Sequence, residues 1–194
     1  FSVFLKADGS VWSMGVKGKI GDGGRVDRSL PVRVIESGAV SLSVANGHSL
    51  VRKTDGSLWG FGNGLSNGKL GMGKMSQYPS YPVRIVEKGV VDASAGGNHS
   101  LFVKTDGSLW GMGSNEQGQL GLTDLSDQLF PRRILDSWVA QASAGSRHSL
   151  VRMEDGSVLV FGSDRTGQLG LGRMLHTAEP FLIAEGIAPT LVRP

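Results

Sequence analysis

Short apolar runs recur along this chain, and turn residues interrupt them at fixed places. In "HSLFVKTDGSLWGMG", from His99 to Gly113, two such runs flank Asp106-Gly107. Runs this short, bounded by turn residues, predict β-strands, and Asp-Gly between them predicts a hairpin. A type I′ turn is expected there, because Gly accepts positive φ and Asp tolerates it better than most residues. Leu109, Trp110 and Met112 then supply large side chains for a sheet face. Beyond a glycine-rich loop, "PVRIVEKG" (Pro82 to Gly89) predicts a further strand, with its proline at the first position, where a missing N–H is tolerated. "VVDASAG" (Val90 to Gly96) adds a strand of small residues suited to a crowded inner position. No helical period is present, so each unit contributes four strands.

The same pattern occurs four times. Asp-Gly falls at residues 8–9, 55–56, 106–107 and 155–156, and Pro31, Pro82, Pro131 and Pro180 each introduce an apolar run. The period of about fifty residues is that of propeller or solenoid units. A twisted four-stranded sheet cannot bury both faces alone, and stacking such sheets around an axis solves that problem. The expected fold is an all-β propeller of four-stranded antiparallel blades, one domain over 1–194, with repeats at approximately 1–47, 48–98, 99–147 and 148–194.

Composition agrees with a folded chain and narrows its chemistry. Of 194 residues, 39% are apolar and 19% charged, and the 30 glycines sit at fixed offsets, the mark of many tight turns. A net charge of +3 from scattered Lys and Arg forms no basic stripe and argues against a nucleic-acid partner. The absence of cysteine excludes disulfides and thiolate metal sites. No stretch reaches the roughly 20 apolar residues of a helical membrane span. The chain opens on Phe1 in mid-repeat with no signal peptide, and a processed, excised or partial chain is expected.

The order Gly-x-x-His-Ser-Leu, Asp-Gly, aromatic-x-Gly and Gly-Gln-Leu-Gly, carried by Gly96 to Leu101, Asp106-Gly107, Trp110 and Gly118 to Gly121, resembles the repeat of the regulator of chromosome condensation family. That resemblance implies a β-propeller, usually of seven blades. The wording is most similar to tandem arrays in bacterial, often secreted, members, which implies an extracellular or bacterial cell-surface location. Phe1 departs from the pattern, standing where the other copies have His, and Leu159 stands where they have Trp. The tail "GIAPTLVRP" (Gly186 to Pro194) aligns with the inner-strand sequences, although Pro189 is costly in such a strand. A four-bladed ring, an arc of a larger ring, and a ring completed by self-association of two chains all remain open.

Candidate chemistry is sparse. His48, His99 and His148 share one repeated position and are expected to hold turns rather than a metal. His and Ser adjacent on a strand point to opposite faces, so "HS" is no nucleophile–base pair. The glycine loops lack the strand–loop–helix context and the Gly-Lys-Ser/Thr ending of a phosphate cradle. Arg33, Arg84 and Arg133 are expected on a solvated or salt-bridged face. Neither a catalytic set nor a cofactor or metal site is expected. Variation is concentrated in the loops 73–82, 123–131 and 172–180, where Tyr78, Tyr81, Leu125, Phe130, Met174 and Leu175 are the candidate anchors for a protein partner. The expected function is a non-catalytic scaffold for protein–protein interaction. Two alternatives stand beside it: a regulator of an enzyme, since the family includes a guanine nucleotide exchange factor and a secreted enzyme inhibitor, and a secreted surface or adhesion module.

Overall fold

A computed structural model describes residues 1–63, 67–73, 81–172 and 176–185. Strands β1 (Ser2–Leu5), β2 (Val11–Gly15) and β3 (Arg28–Ile35) form a three-stranded sheet. Three four-stranded sheets follow. They are β4 (Ala39–Val44), β5 (His48–Lys53), β6 (Leu58–Gly62) and β7 (Val83–Val86); then β8 (Val90–Ala95), β9 (His99–Lys104), β10 (Leu109–Gly113) and β11 (Gln128–Leu135); then β12 (Val139–Ala144), β13 (His148–Met153), β14 (Val158–Gly162) and β15 (Thr177–Ala184). All neighbours pair antiparallel, and the described residues contain no helix, hence none long and apolar enough to cross a membrane. This is the all-β propeller architecture expected from the repeats. Each sheet is offset by one strand from the sequence unit: its inner strand comes from the end of the preceding copy. The first sheet therefore lacks an inner strand among the described residues, and the aligned tail lies outside them.

The hairpin turns differ in type from the expectation. Gly56 N donates to Lys53 O at 3.0 Å and Lys53 N to Ser57 O at 3.0 Å. Gly56 has φ +76°, whereas Asp55 stays at negative φ. This is a type I turn followed by a left-handed glycine bulge, not type I′. Asp is selected for its carboxylate: Asp55 Oδ1 accepts from Ser57 Oγ at 2.6 Å and Ser57 N at 2.9 Å. These bonds hold the carboxyl below its ordinary pKa. Trp59 Nε1 then donates to Ser57 Oγ at 2.9 Å, so Asp-Gly-Ser-x-Trp is one relay from turn to ring. The relay recurs at Asp8–Ser10–Trp12 and Asp106–Ser108–Trp110.

Each of these indoles is sandwiched between cations. Lys53 Nζ lies 4.8 Å and Arg84 Cζ 5.8 Å from the Trp59 ring centre, and Lys104 and Arg133 flank Trp110 in the same way. Arg33, Arg84 and Arg133 also pair with Glu36, Glu87 and Asp136, the salt-bridged arrangement expected of them. In the fourth sheet the three stacked positions carry Met153, Leu159 and Leu182 instead. Met153 and Leu159 pack onto the apolar cluster of the third junction.

The core is divided among the junctions between sheets. Val11, Ile35, Ala39, Val51 and Phe61 fill the first; Leu50, Leu58, Leu70, Phe102 and Met112 the second; Leu101, Leu109, Leu120, Val151 and Phe161 the third. Polar links cross the same junctions. His48 Nε2 meets Ser100 Oγ at 2.7 Å, and His99 Nε2 meets Ser149 Oγ at 2.9 Å. Each serine donates its own proton to a loop carbonyl of the preceding sheet, Lys69 O and Gln119 O respectively, both at 2.7 Å. The histidine must therefore donate through Nε2–H, which fixes the tautomer. On the inner strands, Ser43 Oγ accepts from Ala95 N at 2.9 Å and Ser94 Oγ from Ala144 N at 3.0 Å. The small inner-strand residues thus link sheets as well as fitting the space. At the first junction Phe1 replaces the histidine, and Ser49 Oγ is buried with no partner.

Burial pushes the pKa of His48 and of His99 down to about 3. An unfolded histidine takes up a proton near pH 6.5 while these two remain neutral in the native state. Their contribution is complete above pH 6.5 and is lost as pH falls from there toward 3. Between pH 6 and 4.5, denaturant unfolding should show stability dropping by about 1.4 kcal/mol per pH unit for each such histidine. His99→Gln should make that slope shallower. Phe1→His should give Ser49 its missing partner and add about 1 kcal/mol by the same measurement. Ser108→Ala, which breaks the Asp106–Trp110 relay, should cost about 1–2 kcal/mol. Trp138 has φ +67°, a left-handed backbone where Gly38 and Gly89 stand in the equivalent connections. Since that conformation costs a side-chain-bearing residue about 1–2 kcal/mol, Trp138→Gly should raise the denaturation midpoint.

Candidate interaction surface

Antiparallel connections sort the loops onto two faces. The Gly-x-x-His turns and the long loops between the third and fourth strands of each sheet share one face. The Asp-Gly turns and the links from one sheet to the next share the other. Sequence variation is concentrated on the long-loop face.

Among the sequence-derived anchors, the structure exposes Tyr81 (66%), Phe130 (64%) and Leu125 (43%). Tyr78, Met174 and Leu175 lie outside the described residues. Tyr81 and Phe130 occupy matching positions just before their prolines, and each covers a glycine of the preceding sheet. The Tyr81 ring lies so close to Gly23 that no Cβ would fit between them, and a Cβ on Gly73 would sit 3.0 Å from Phe130 Cζ. Both rings are therefore lids on junctions, with one side packed and the other open. Leu125 belongs to a loop tied down by polar contacts: Arg132 Nη1 pairs with Asp124 Oδ2 at 2.6 Å, and Asn115 N donates to Asp127 Oδ1 at 3.1 Å. Beside it, Asn115 Oδ1 accepts from Leu120 N at 2.9 Å, closing the Gly-Gln-Leu-Gly turn.

Among the described residues, the two most exposed large apolar side chains outside the sequence-derived set are Leu30 and Trp138. Leu30 is 75% exposed at the position equivalent to Tyr81 and Phe130. Trp138 is 68% exposed on the opposite, Asp-Gly face. Comparison of the copies carries the signal for Trp138, since a tryptophan replaces a turn glycine there. For Leu30 the signal is its place just before a repeated proline, the position at which Tyr81 and Phe130 are exposed to a similar degree.

The nearest approach to catalytic geometry is the pairing of His with Ser across a junction, which adjacency in sequence does not reveal. These serine protons are committed to backbone carbonyls, and His48, His99, Ser100 and Ser149 are fully buried. The pair holds sheets together and presents nothing to a substrate. Lys69 Nζ reaches Asn98 Oδ1 at 3.2 Å, and burial lowers its pKa. No group of three or more His, Asp and Glu side chains suited to a metal ion occurs among the described residues. A shallow depression lined by Thr123, His176, Thr177 and Glu179 opens on the long-loop side between the third and fourth sheets.

Solved structures share this architecture. Human WBSCR16 superposes with a TM-score of 0.81 at 22% identity, over 94% of this chain and 50% of that one. Prp20p of Saccharomyces cerevisiae superposes with a TM-score of 0.77 at 21% identity, over 93% of this chain and 49% of that one. In sequence, the human E3 ubiquitin-protein ligase HERC2 is 33% identical over 137 residues, which are 64% of this chain and 3% of that protein. The chain thus spans a small part of this curated relative and about half of each solved propeller. Models of the regulator of chromosome condensation (RCC1) repeat match residues 55–103 and 106–152, and a second model of the same repeat matches 90–119 and 139–168. With the Asp-Gly-Ser-x-Trp relay and the His–Ser junctions in register with those matches, the chain belongs to the RCC1 repeat family.

Proposed function

We propose that this chain is a non-catalytic scaffold that docks a protein partner on its long-loop face. The observation that carries the reading is the division of labour among residues. The repeated Asp-Gly-Ser-x-Trp and His–Ser groups are spent on turns and junctions, whereas the variable loops leave Tyr81, Leu125 and Phe130 open to solvent on one face. Large apolar side chains on a rigid rim are the usual anchors of protein interfaces. The structure of yeast Prp20p is described together with its binding to Gsp1p and histones, and that of yeast RCC1 (Prp20) with bound Kap60. Protein binding on this architecture therefore has precedent, and those proteins are suitable first probes.

The test is calorimetric titration of the chain with Gsp1p and with histones. Binding of at least one is expected, and replacing Tyr81, Leu125 and Phe130 together with Ala should weaken it at least tenfold. Absence of binding by both probes, or an affinity untouched by the triple replacement, would overturn the assignment of this face.

A further inference from the structure

Trp138 stands in the link between β11 and β12, at the third junction on the Asp-Gly face. Its carbonyl accepts from Glu154 N at 2.8 Å, and a Cβ on Gly107 would sit 2.8 Å from its amide nitrogen. The residue is therefore fixed between the hairpin turns of the third and fourth sheets, with its side chain open to solvent. Gly38 and Gly89 fill the equivalent places, and tryptophan holds their left-handed backbone at a cost. Nothing within the chain uses the indole. Trp12, Trp59 and Trp110 each lie between a lysine and an arginine, whereas among the described residues no cation covers Trp138.

The charges beside it are also unlike those of the other sheets. In each of the first three sheets a lysine and an arginine balance two acids, as Lys104 and Arg133 balance Asp106 and Asp136. In the fourth sheet Met153 and Leu182 hold the cation positions, yet both acids remain as Asp155 and Glu185. Glu154 adds another where the other turns have Ala or Thr. Serine hydrogen bonds lower the pKa of all four turn aspartates; a lysine or arginine adds to this at Asp8, Asp55 and Asp106, but not at Asp155. The chain as a whole carries +3, so a cationic ligand is drawn to it only where such acids gather.

We infer that the Asp-Gly face is a second docking surface, on which a lysine- or arginine-rich segment of a protein partner lays one cation over Trp138 and others against Glu154 and Asp155. The partner would supply the cover that the chain gives its other three indoles. This surface is separate from the long-loop face and does not depend on it.

The test follows the fluorescence anisotropy of a dye-labelled oligolysine titrated with the 194-residue chain at low salt. Saturable binding is expected, weakening as salt is raised. Trp138→Gly, which restores the residue of the equivalent links, should weaken binding about tenfold while raising the denaturation midpoint, so that lost binding is not lost fold. Glu154→Thr, the residue of the second and third turns, should weaken it about threefold and flatten the salt dependence. Replacing Tyr81, Leu125 and Phe130 should leave it unchanged. Failure to bind, or binding indifferent to either Trp138→Gly or Glu154→Thr, would overturn the proposal. So would a two-chain mass in light scattering that Trp138→Gly abolishes, since the indole would then belong to a contact with a second copy.

Discussion

A sheet of three or four short strands has two apolar faces and almost no capacity to bury either. Every other feature of the molecule follows from that shortage. The apolar residues form three clusters, each shared by two sheets, so no sheet owns a core. Area burial between sheets is non-directional and would tolerate sliding. The histidine–serine–carbonyl relays add direction: each fixes an inner loop of one sheet to the second strand of the next through groups that cannot be satisfied elsewhere once buried. The first junction supplies the comparison within one molecule. There Phe1 adds apolar surface but no donor, and the Ser49 hydroxyl is left without a partner.

Much of the architecture was legible in the sequence because it is written four times. Hairpins, strand count and propeller stacking follow from Asp-Gly spacing, short apolar runs and the length of the repeat. Three features were not legible, each for a physical reason. The turn type depended on whether Asp adopts positive φ or uses its carboxylate, and Asp-Gly permits both. The one-strand offset between repeat and sheet depended on which inner strand pairs with which hairpin, a long-range choice that a periodic sequence leaves degenerate. The His–Ser pairing depended on contact between residues about fifty positions apart, which adjacency in "HS" conceals.

The surface was less legible than the fold. Tyr81 and Phe130 stood out as aromatic residues in variable loops, and the structure gives them a second duty as junction lids over glycine. Leu125 lies in a loop braced by Asp124 and Arg132. Trp138 combines exposure with a strained backbone on the other face, and nothing in its surroundings explains why tryptophan stands there.

The Lys–Trp–Arg stack and its aliphatic counterpart in the fourth sheet carry a consequence for how such sheets can be recombined. The three positions lie far apart in sequence yet switch together, from cation–indole–cation to Met153, Leu159 and Leu182. Exchanging one member alone would strand an ammonium or guanidinium on hydrocarbon, or strip an indole of its covers. The trio therefore acts as one unit within its blade, and a hybrid that joins the hairpin of one blade to the outer strand of another must keep all three positions of one kind.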